Sequence, residues 1–143
     1  MFYYDTKLEF KGAILLSVDE ASYLLTVQER KYKDYWWLRN PGCDGSHACY
    51  VYDDGSVSMY GFNVSYVSGI RPALIISNLG DFKVGDIISI GKYFFKIIEP
   101  QMAWLYKQDI GTYYFDVKSN NYEVSHVKRV VDTWFEELKK EMK

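Results

Sequence analysis

Apolar and polar residues alternate over much of the chain, and this period of two predicts a protein built mainly from short β-strands. Residues 6–11 show the pattern, with Leu8 and Phe10 on one face and charged residues on the other. Gly, Pro, Asn and Asp separate the apolar runs, as expected for turns between strands. The other predicted strands are residues 12–16, 35–39, 48–53, 56–60, 70–76, 84–90, 93–98, 102–106 and 112–116.

The pair of strands at residues 48–53 and 56–60 is the clearest local prediction. Asp54 and Gly55 lie between them, and this dipeptide readily adopts the positive φ angles of a two-residue hairpin turn. The stretch 61–68 that follows is rich in Gly, Asn and Ser, which predicts a loop.

Two segments carry helical signals instead. Ser17 and Glu20 have the spacing of a capping box, in which a hydroxyl and a carboxylate three residues apart each bind a backbone N–H, so a short helix should follow. Residues 28–34 are charged and predict a loop. Near the C-terminus, apolar residues recur at steps of three and four after a predicted N-cap at Ser125, which indicates an amphipathic helix packed on a sheet. Its apolar positions are Val127, Val130, Val131, Trp134, Phe135, Leu138 and Met142.

The composition fits one domain and excludes several classes of protein. The chain has 143 residues, 48% of them hydrophobic and 18% aromatic, and a formal net charge of -2. A chain of this kind buries a sizeable core, and its near balance of charge argues against direct binding of nucleic acid. No apolar run reaches the roughly 18 residues that span a bilayer, so we expect no membrane contact and a cytoplasmic location. The fold class predicted is α+β, with mostly antiparallel strands and two helices, one short and N-terminal, one amphipathic and C-terminal.

Side chains that could carry catalysis or bind metal are few. Cys43, His47 and Cys49 are close in sequence, but their spacing fits no standard zinc pattern and lacks a fourth ligand. Asp44, Ser46 and His47 have the residue types of a hydrolytic triad, yet neighbours on one loop do not place the base between nucleophile and carboxylate. We therefore expect no metal, no cofactor and no enzymatic activity. Whether Cys43 and Cys49 form a disulfide is left open by the sequence.

Three motifs in the first half resemble those of one domain family. They are YWWLRNPG at residues 35–42, A-x-Y-V-x-x-D-G-S-V at 48–57 and GIRPAL at 69–74, preceded by LLSVDEA at 15–21. They are similar to the WWLRSPG, Tyr-Val-Asp-Gly and VRPAL motifs of an uncharacterised domain family of Firmicutes and their phages, a domain of unknown function. The resemblance implies a C-type-lectin-like fold, related to the diversified receptor-binding proteins of phages and to formylglycine-generating enzymes.

The second half resembles the opening half of the same family. The motifs are IGKYFFKII at residues 90–98, DIGTYYFD at 109–116 and SNNYEVSHVKRVVDTWFEEL at 119–138. The chain is therefore similar to a circularly permuted member, in which residues 1–76 correspond to the family's C-terminal half, 84–143 to its N-terminal half and 77–83 to a connector. Permutation is tolerated when termini lie close together at the surface, and we expect residues 1–143 to form a single domain.

The predicted function is a non-enzymatic module of phage or mobile-element origin that binds a ligand or a protein partner. In diversified relatives the region between the hairpin and the RPAL strand faces the ligand, and here it has the Tyr, Ser and Asn content of adaptable recognition surfaces. The predicted binding residues are Tyr50, Tyr52, Tyr60, Phe62, Asn63, Ser65 and Tyr66. The alternative is that Tyr50 and Tyr52 only cover one side of a sheet. Replacing Tyr60, Phe62 and Tyr66, in or beside the predicted loop, should cost little stability.

Two other functions stay open at this point. One is an inhibitor that occludes a host defence nuclease, as an anti-CRISPR protein does; the other is a metal-dependent thiol oxidase, related to formylglycine-generating enzymes, that would use Cys43 and Cys49. Receptor binding would imply a virion-associated protein and inhibition one in the host cytoplasm. The oligomeric state is not predicted.

A further set of residues is assigned to the fold. Consecutive Trp residues point to opposite faces of a strand, and an Arg beside a buried strand usually pairs with carboxylates or carbonyls. These structural residues are Trp36, Trp37, Arg39, Arg71 and Pro72.

Overall fold

Two five-stranded β-sheets and three α-helices form the part of the chain that the computed structural model describes, residues 7–142. The strands are β1 (Glu9–Ile14), β2 (Trp36–Pro41), β3 (His47–Val51), β4 (Val57–Asn63), β5 (Val67–Gly69), β6 (Ala73–Asn78), β7 (Ile87–Ile90), β8 (Tyr93–Glu99), β9 (Met102–Leu105) and β10 (Thr112–Tyr114). The helices are α1 (Val18–Leu24), α2 (Val27–Arg30) and α3 (His126–Leu138), with single 3-10 turns at Tyr122–Val124 and Lys139–Glu141.

Each of the two sheets contains strands from both halves of the chain. The first sheet has the order β1-β6-β9-β8-β7 and is antiparallel throughout. The second has the order β10-β5-β2-β3-β4 and is antiparallel except where β2 runs parallel to β5, at Trp36 and Gly69. The predicted α+β class with mostly antiparallel strands is confirmed.

The predicted helix caps are confirmed in detail, and the predicted hairpin is confirmed in position. The Ser17 Oγ accepts a hydrogen bond from Glu20 N at 3.1 Å, and a Glu20 carboxylate oxygen accepts one from Ser17 N at 2.8 Å, which completes the capping box of α1. Ser125 caps α3 by accepting a hydrogen bond from Lys128 N at 3.0 Å. The hairpin between β3 and β4 is confirmed, but its turn is longer than the two residues predicted: β3 ends at Val51, β4 begins at Val57, and Gly55 has a positive φ of 91° whereas Asp54 does not.

Several predicted boundaries are wrong. The strands predicted at residues 6–11 and 12–16 are one strand, β1, whose register shifts near Phe10, and this bulge hides its continuity in the alternation pattern. Residue 6, like the rest of residues 1–6 and residue 143, lies outside the described residues. The loop predicted at 28–34 begins inside α2, whose own capping box pairs Thr26 with Glu29.

The loop predicted at residues 61–68 is also corrected. β4 continues to Asn63 and β5 begins at Val67, so only a three-residue turn separates them. Gly61, which suggested a loop, instead has a φ of 101° inside an irregular stretch of β4 that pairs with β3. Glycine within a strand often marks such an irregularity.

The side chains of β2 divide the core into two clusters. Trp37 lies in a cluster with Leu74, Phe95 and Phe115 that also contains the apolar face of α3. Trp36 lies in a second cluster with Leu38 and Trp104. Consecutive Trp residues on one strand therefore face opposite sides of the second sheet, as the sequence predicts.

Candidate functional site

Five aromatic side chains form a continuous cluster on the Trp37 side of the second sheet, at the margin of the core. We call it the aromatic face; its members are Tyr35, Tyr50, Tyr52, Phe62 and Tyr66. The Tyr50 ring centroid lies 5.4 Å from that of Tyr35, 4.8 Å from that of Tyr52 and 5.2 Å from that of Phe62. The Phe62 centroid in turn lies 5.0 Å from that of Tyr66. These spacings are typical of favourable stacked and edge-to-face pairs, so the rings support one another.

Exposure changes steadily across the aromatic face. Tyr50 is only 5% exposed, Tyr35 and Phe62 are half-buried, Tyr52 is 36% exposed and Tyr66 is 56% exposed. Burial raises the pKa of the Tyr50 phenol, and the neighbouring Tyr52 hydroxyl raises it further, so Tyr50 stays neutral. Tyr50 and Phe62 therefore form the base of this surface, and Tyr52 and Tyr66 are the rings that an incoming molecule would touch.

The hairpin and the turn after it hold the exposed rings in place. Tyr50 pairs with Ser58 across β3 and β4, and Ala48 pairs with Phe62. Asn63 Oδ1 accepts hydrogen bonds from the backbone N and the Oγ of Ser65, at 2.9 and 2.7 Å. Tyr66 N then donates to the Asn63 carbonyl at 3.0 Å. The polar side chains of Asn63 and Ser65 thus build the turn that presents Tyr66.

Tyr60, the remaining predicted binding residue, lies apart from the aromatic face. Its ring packs edge-on against His47, with centroids 5.8 Å apart. Along β3, Ala48 and Tyr50 face one core cluster and Cys49 faces the other, so His47 shares the side of Cys49. Tyr60 is 71% exposed on that opposite side of the sheet.

The residues assigned to the fold are buried or tightly bound. The Trp36 indole donates to the Arg30 carbonyl at 3.0 Å, and the Pro72 carbonyl accepts from Leu105 N at 3.0 Å. Arg39 binds the Glu20 carboxylate with both terminal nitrogens, at 2.6 and 3.2 Å, and donates to the Leu15 carbonyl at 2.8 Å. This is the pairing with carboxylates and carbonyls that the sequence suggests. Arg71 is buried as well, but makes few polar contacts.

Three potential metal ligands lie together beside Tyr60. They are Cys43, Asp44 and His47, whose ligand atoms lie within 4.8 Å of one another. Asp44 Oδ1 already accepts hydrogen bonds from His47 Nδ1 at 2.8 Å and Ser46 Oγ at 2.8 Å, and these two groups lower the Asp44 pKa to about 2. Cys49 does not join this group, because its thiol donates to the carbonyls of Pro41 and Met59. Cys43, His47 and Asp44 would offer a soft metal one thiolate, one imidazole and one carboxylate. Both cysteines are free thiols.

The same loop does not form a catalytic triad. Ser46 Oγ and Asp44 Oδ1 both lie on the Nδ1 side of the His47 ring, at 3.2 and 2.8 Å. In a working triad the carboxylate and the nucleophile bind opposite nitrogens of the imidazole. The side chain of Asn120 anchors this loop, donating to the Asp44 and His47 carbonyls at 2.7 and 3.0 Å.

Sequence reasoning missed Tyr35 as a member of the aromatic face, although its position gives a signal. Tyr35 lies two residues before Trp37 on an extended segment, so the two share a face of the sheet. Asn120 was missed too, since a single Asn in a loop 73 residues from its partner at His47 leaves no local pattern.

No helix within residues 7–142 is long and apolar enough to cross a membrane.

The comparisons with known proteins bear on the first half of the chain. Searches of the curated proteins and of the solved structures returned no significant match. A family model does match, and it confirms the resemblance to an uncharacterised domain. Residues 10–78, from β1 to the end of β6, are similar to the family described as Domain of unknown function (DUF6273).

Proposed function

We propose that the protein is a non-enzymatic binding module of phage or mobile-element origin, with a C-type-lectin-like fold, whose aromatic face binds a protein partner. The observation that carries this proposal is the placement of Tyr52 and Tyr66, exposed on a base of packed aromatic rings. A tyrosine held in this way offers a large contact area and a hydroxyl while losing little conformational entropy on binding.

The chemistry of the aromatic face favours a protein over other partners. Its members carry no formal charge, so it lacks the clustered cations that a nucleic acid requires. Tyrosine and other aromatic residues are enriched in the central part of protein interfaces. A partner that presents apolar and hydrogen-bonding groups to Tyr52 and Tyr66 is therefore the best fit.

The family match supports the placement of the site within the domain. The matched residues 10–78 include every member of the aromatic face, from Tyr35 to Tyr66. The match ends at Asn78, close to the connector predicted at 77–83, and this agrees with the proposal that residues 84–143 are the permuted other half. Each sheet also combines strands from both halves, with β6 paired to β9 and β5 paired to β10, and this fits a permuted single domain.

A direct test compares two matched tyrosine variants in binding to one partner. The partner is first captured on the immobilised chain from host cell extract and then purified, and its affinity is measured by surface plasmon resonance. The double variant Tyr52→Ser with Tyr66→Ser should weaken binding by at least about tenfold, as for residues central to an interface. The control Tyr23→Ser removes a tyrosine that is 82% exposed on α1 and should leave affinity within about twofold.

The outcome of that test also separates the possible roles. A purified partner that is a cell-surface receptor assigns receptor binding, and a defence nuclease assigns inhibition by occlusion. Wild-type affinity in the double variant, or an equal loss in Tyr23→Ser, would refute the aromatic face as the binding surface.

A further inference from the structure

The guanidinium of Arg71 is enclosed by aromatic rings on the side of β2 opposite the aromatic face. Arg71 is 1% exposed, and its guanidinium carbon lies 4.2 Å from the Trp104 ring centroid, 4.4 Å from that of Tyr32 and 4.9 Å from that of Trp36. Such cation–π contacts stabilise a buried cation but satisfy none of its N–H donors.

Most of the hydrogen-bonding capacity of Arg71 is unused. Within residues 7–142 its guanidinium donates only one hydrogen bond, from Nε to the Gln108 carbonyl at 3.1 Å, and it forms no ion pair. Its Nη1 atom is buried without a partner. The nearby carboxylate of Asp109 is already engaged, because it accepts hydrogen bonds from the Tyr32 hydroxyl and from Gly111 N. A buried arginine with unpaired donors is costly to the fold and points to an absent acceptor.

Arg71 lies at the base of an open cleft of about 470 Å³. Trp104 and Tyr106 give the cleft an apolar wall, and Lys31 and Lys107 add two exposed cations. Its one carboxylate is Glu29, whose negative charge is paired with the Lys96 ammonium. Burial alone would raise the Glu29 pKa, but hydrogen bonds from Lys96 and from Thr26 N outweigh burial and hold that pKa below its usual value. The cleft is therefore electropositive in a chain whose net charge is -2.

The rings around Arg71 restrict the shape of an acceptor. Trp36 and Trp104 contact each other, with centroids 5.8 Å apart, and the Tyr32 ring packs against the same cluster, so three rings crowd around the guanidinium. An acceptor that reaches Nη1 in the plane of the guanidinium must pass between these rings. A planar carboxylate fits such a slot and matches the fork of Arg donors, whereas a tetrahedral phosphate is thicker.

We propose that this cleft binds a small organic carboxylate, whose oxygens accept hydrogen bonds from the terminal nitrogens of Arg71 and whose apolar body packs on Trp104 and Tyr106. Lys31 and Lys107 at the rim attract the anion. Burial lowers the Arg71 pKa to about 10, while Tyr32 and Asp109 oppose that shift, so the guanidinium is cationic at neutral pH. The site is separate from the aromatic face, because the two lie on opposite sides of β2.

Tryptophan fluorescence of the full chain tests the proposal, because Trp36 and Trp104 flank the guanidinium. Phenylacetate should produce a saturable change with a Kd of about 1 mM or below, and the neutral analogue phenylacetamide should bind at least about tenfold more weakly. Inorganic phosphate at the same ionic strength should not compete. The peptide N-acetyl-glycyl-phenylalanine and its C-terminal amide distinguish the source: tighter binding of the peptide acid than of phenylacetate assigns a peptide C-terminus, and the reverse order assigns a free organic acid.

Variants then connect the binding to these residues. Arg71→Lys keeps a cation but loses the forked donors, and it should abolish phenylacetate binding. Because Arg71 is buried and its replacement can unfold the chain, the exposed pair Lys31→Gln with Lys107→Gln provides a second test and should raise the Kd at least about threefold. The control Lys118→Gln, which does not line the cleft, should leave the Kd unchanged. Equal binding of phenylacetamide, competition by phosphate, no saturation up to about 50 mM, or an unchanged Kd in the lysine pair would overturn the proposal.

Discussion

The indole Nε1 of Trp37 donates a hydrogen bond of 2.9 Å to the carbonyl oxygen of Tyr113, 76 residues further along the chain. A second long-range hydrogen bond, which is buried, joins Leu15 N to the Tyr122 hydroxyl at 3.3 Å. Both connect the part of the chain that contains the family match to the part after residue 84, which we propose to be the permuted other half. The first sheet also joins the two halves, because β6 of the first half pairs with β9 of the second. Neither half can complete its core without the other.

We therefore expect the fragment 1–78 to be unfolded or aggregated. It would expose the apolar side chains of β6 that share a core cluster with α3, and it would leave the edge of β6 that pairs with β9 without a partner. Circular dichroism and size-exclusion chromatography of this fragment measure the outcome, with the full chain as the control. Co-expression with residues 79–143 should restore a soluble complex. A folded, monomeric 1–78 fragment would contradict both the single domain and the permuted arrangement.

The strands and capped helices could be predicted because their signals are local. The capping box of Ser17 and Glu20 and the turn at Gly55 each depend on contacts within a few residues. Irregular strands could not be predicted in the same way: the register shift in β1 and the positive φ of Gly61 both break the alternation on which strand assignment relies. Sequence reasoning therefore took the end of β4 for a loop.

That correction changes the expected stability of the aromatic variants. Phe62 is half-buried in β4 and contacts four rings, so Phe62→Ala should cost about 1 to 3 kcal/mol, more than a loop residue would. Trp37→Ala removes a fully buried indole and should cost about 3 to 5 kcal/mol. Tyr66→Ala, at the exposed end of the same cluster, should cost less than about 1 kcal/mol. Urea unfolding followed by fluorescence gives all three free energies, and a Phe62→Ala cost as small as that of Tyr66→Ala would contradict the packing described.

The candidate site shows where local patterns stop being informative. Tyr50, Tyr52 and Tyr66 are predicted together because the family resemblance points to the hairpin and the segment after it, which are continuous in sequence. The separation of Tyr60 from them depends on the irregular pairing in β4, and the cleft at Arg71 depends on Tyr32 and Trp104, which are 72 residues apart in sequence. Contacts of that range are set by the packing of the two sheets.

Acid should destabilise the protein through Glu20. Burial alone would raise the Glu20 pKa, but the Arg39 guanidinium and Ser17 hold it below its ordinary value of 4.5. The unfolded state therefore binds this proton more readily, so the stabilisation is present above about pH 4.5 and is lost as the pH falls through the lower pKa of the folded state. Glu20→Gln keeps a capping-box side chain but removes the charge. Its free energy of unfolding, measured from pH 6 to pH 3, should fall less steeply than that of the wild type. Parallel pH profiles for the two proteins would show that the Arg39 pair does not contribute.

The two cysteines should differ sharply in reactivity. Cys49 is 2% exposed, its thiol donates to two carbonyls, and burial raises its pKa, so little reactive thiolate forms. Cys43 is exposed in the loop beside Asp44 and His47. In the native protein a disulfide reagent such as Ellman's reagent should therefore modify one thiol rapidly and the second only after unfolding. Cys43→Ser should remove the fast phase and leave the urea midpoint unchanged.

Elemental analysis of the protein should find no stoichiometric zinc, copper or calcium. One tightly held metal per chain, lost in Cys43→Ser and protecting the thiol from the reagent, would instead show that Cys43, Asp44 and His47 form a metal centre and would reopen the case for an oxidase.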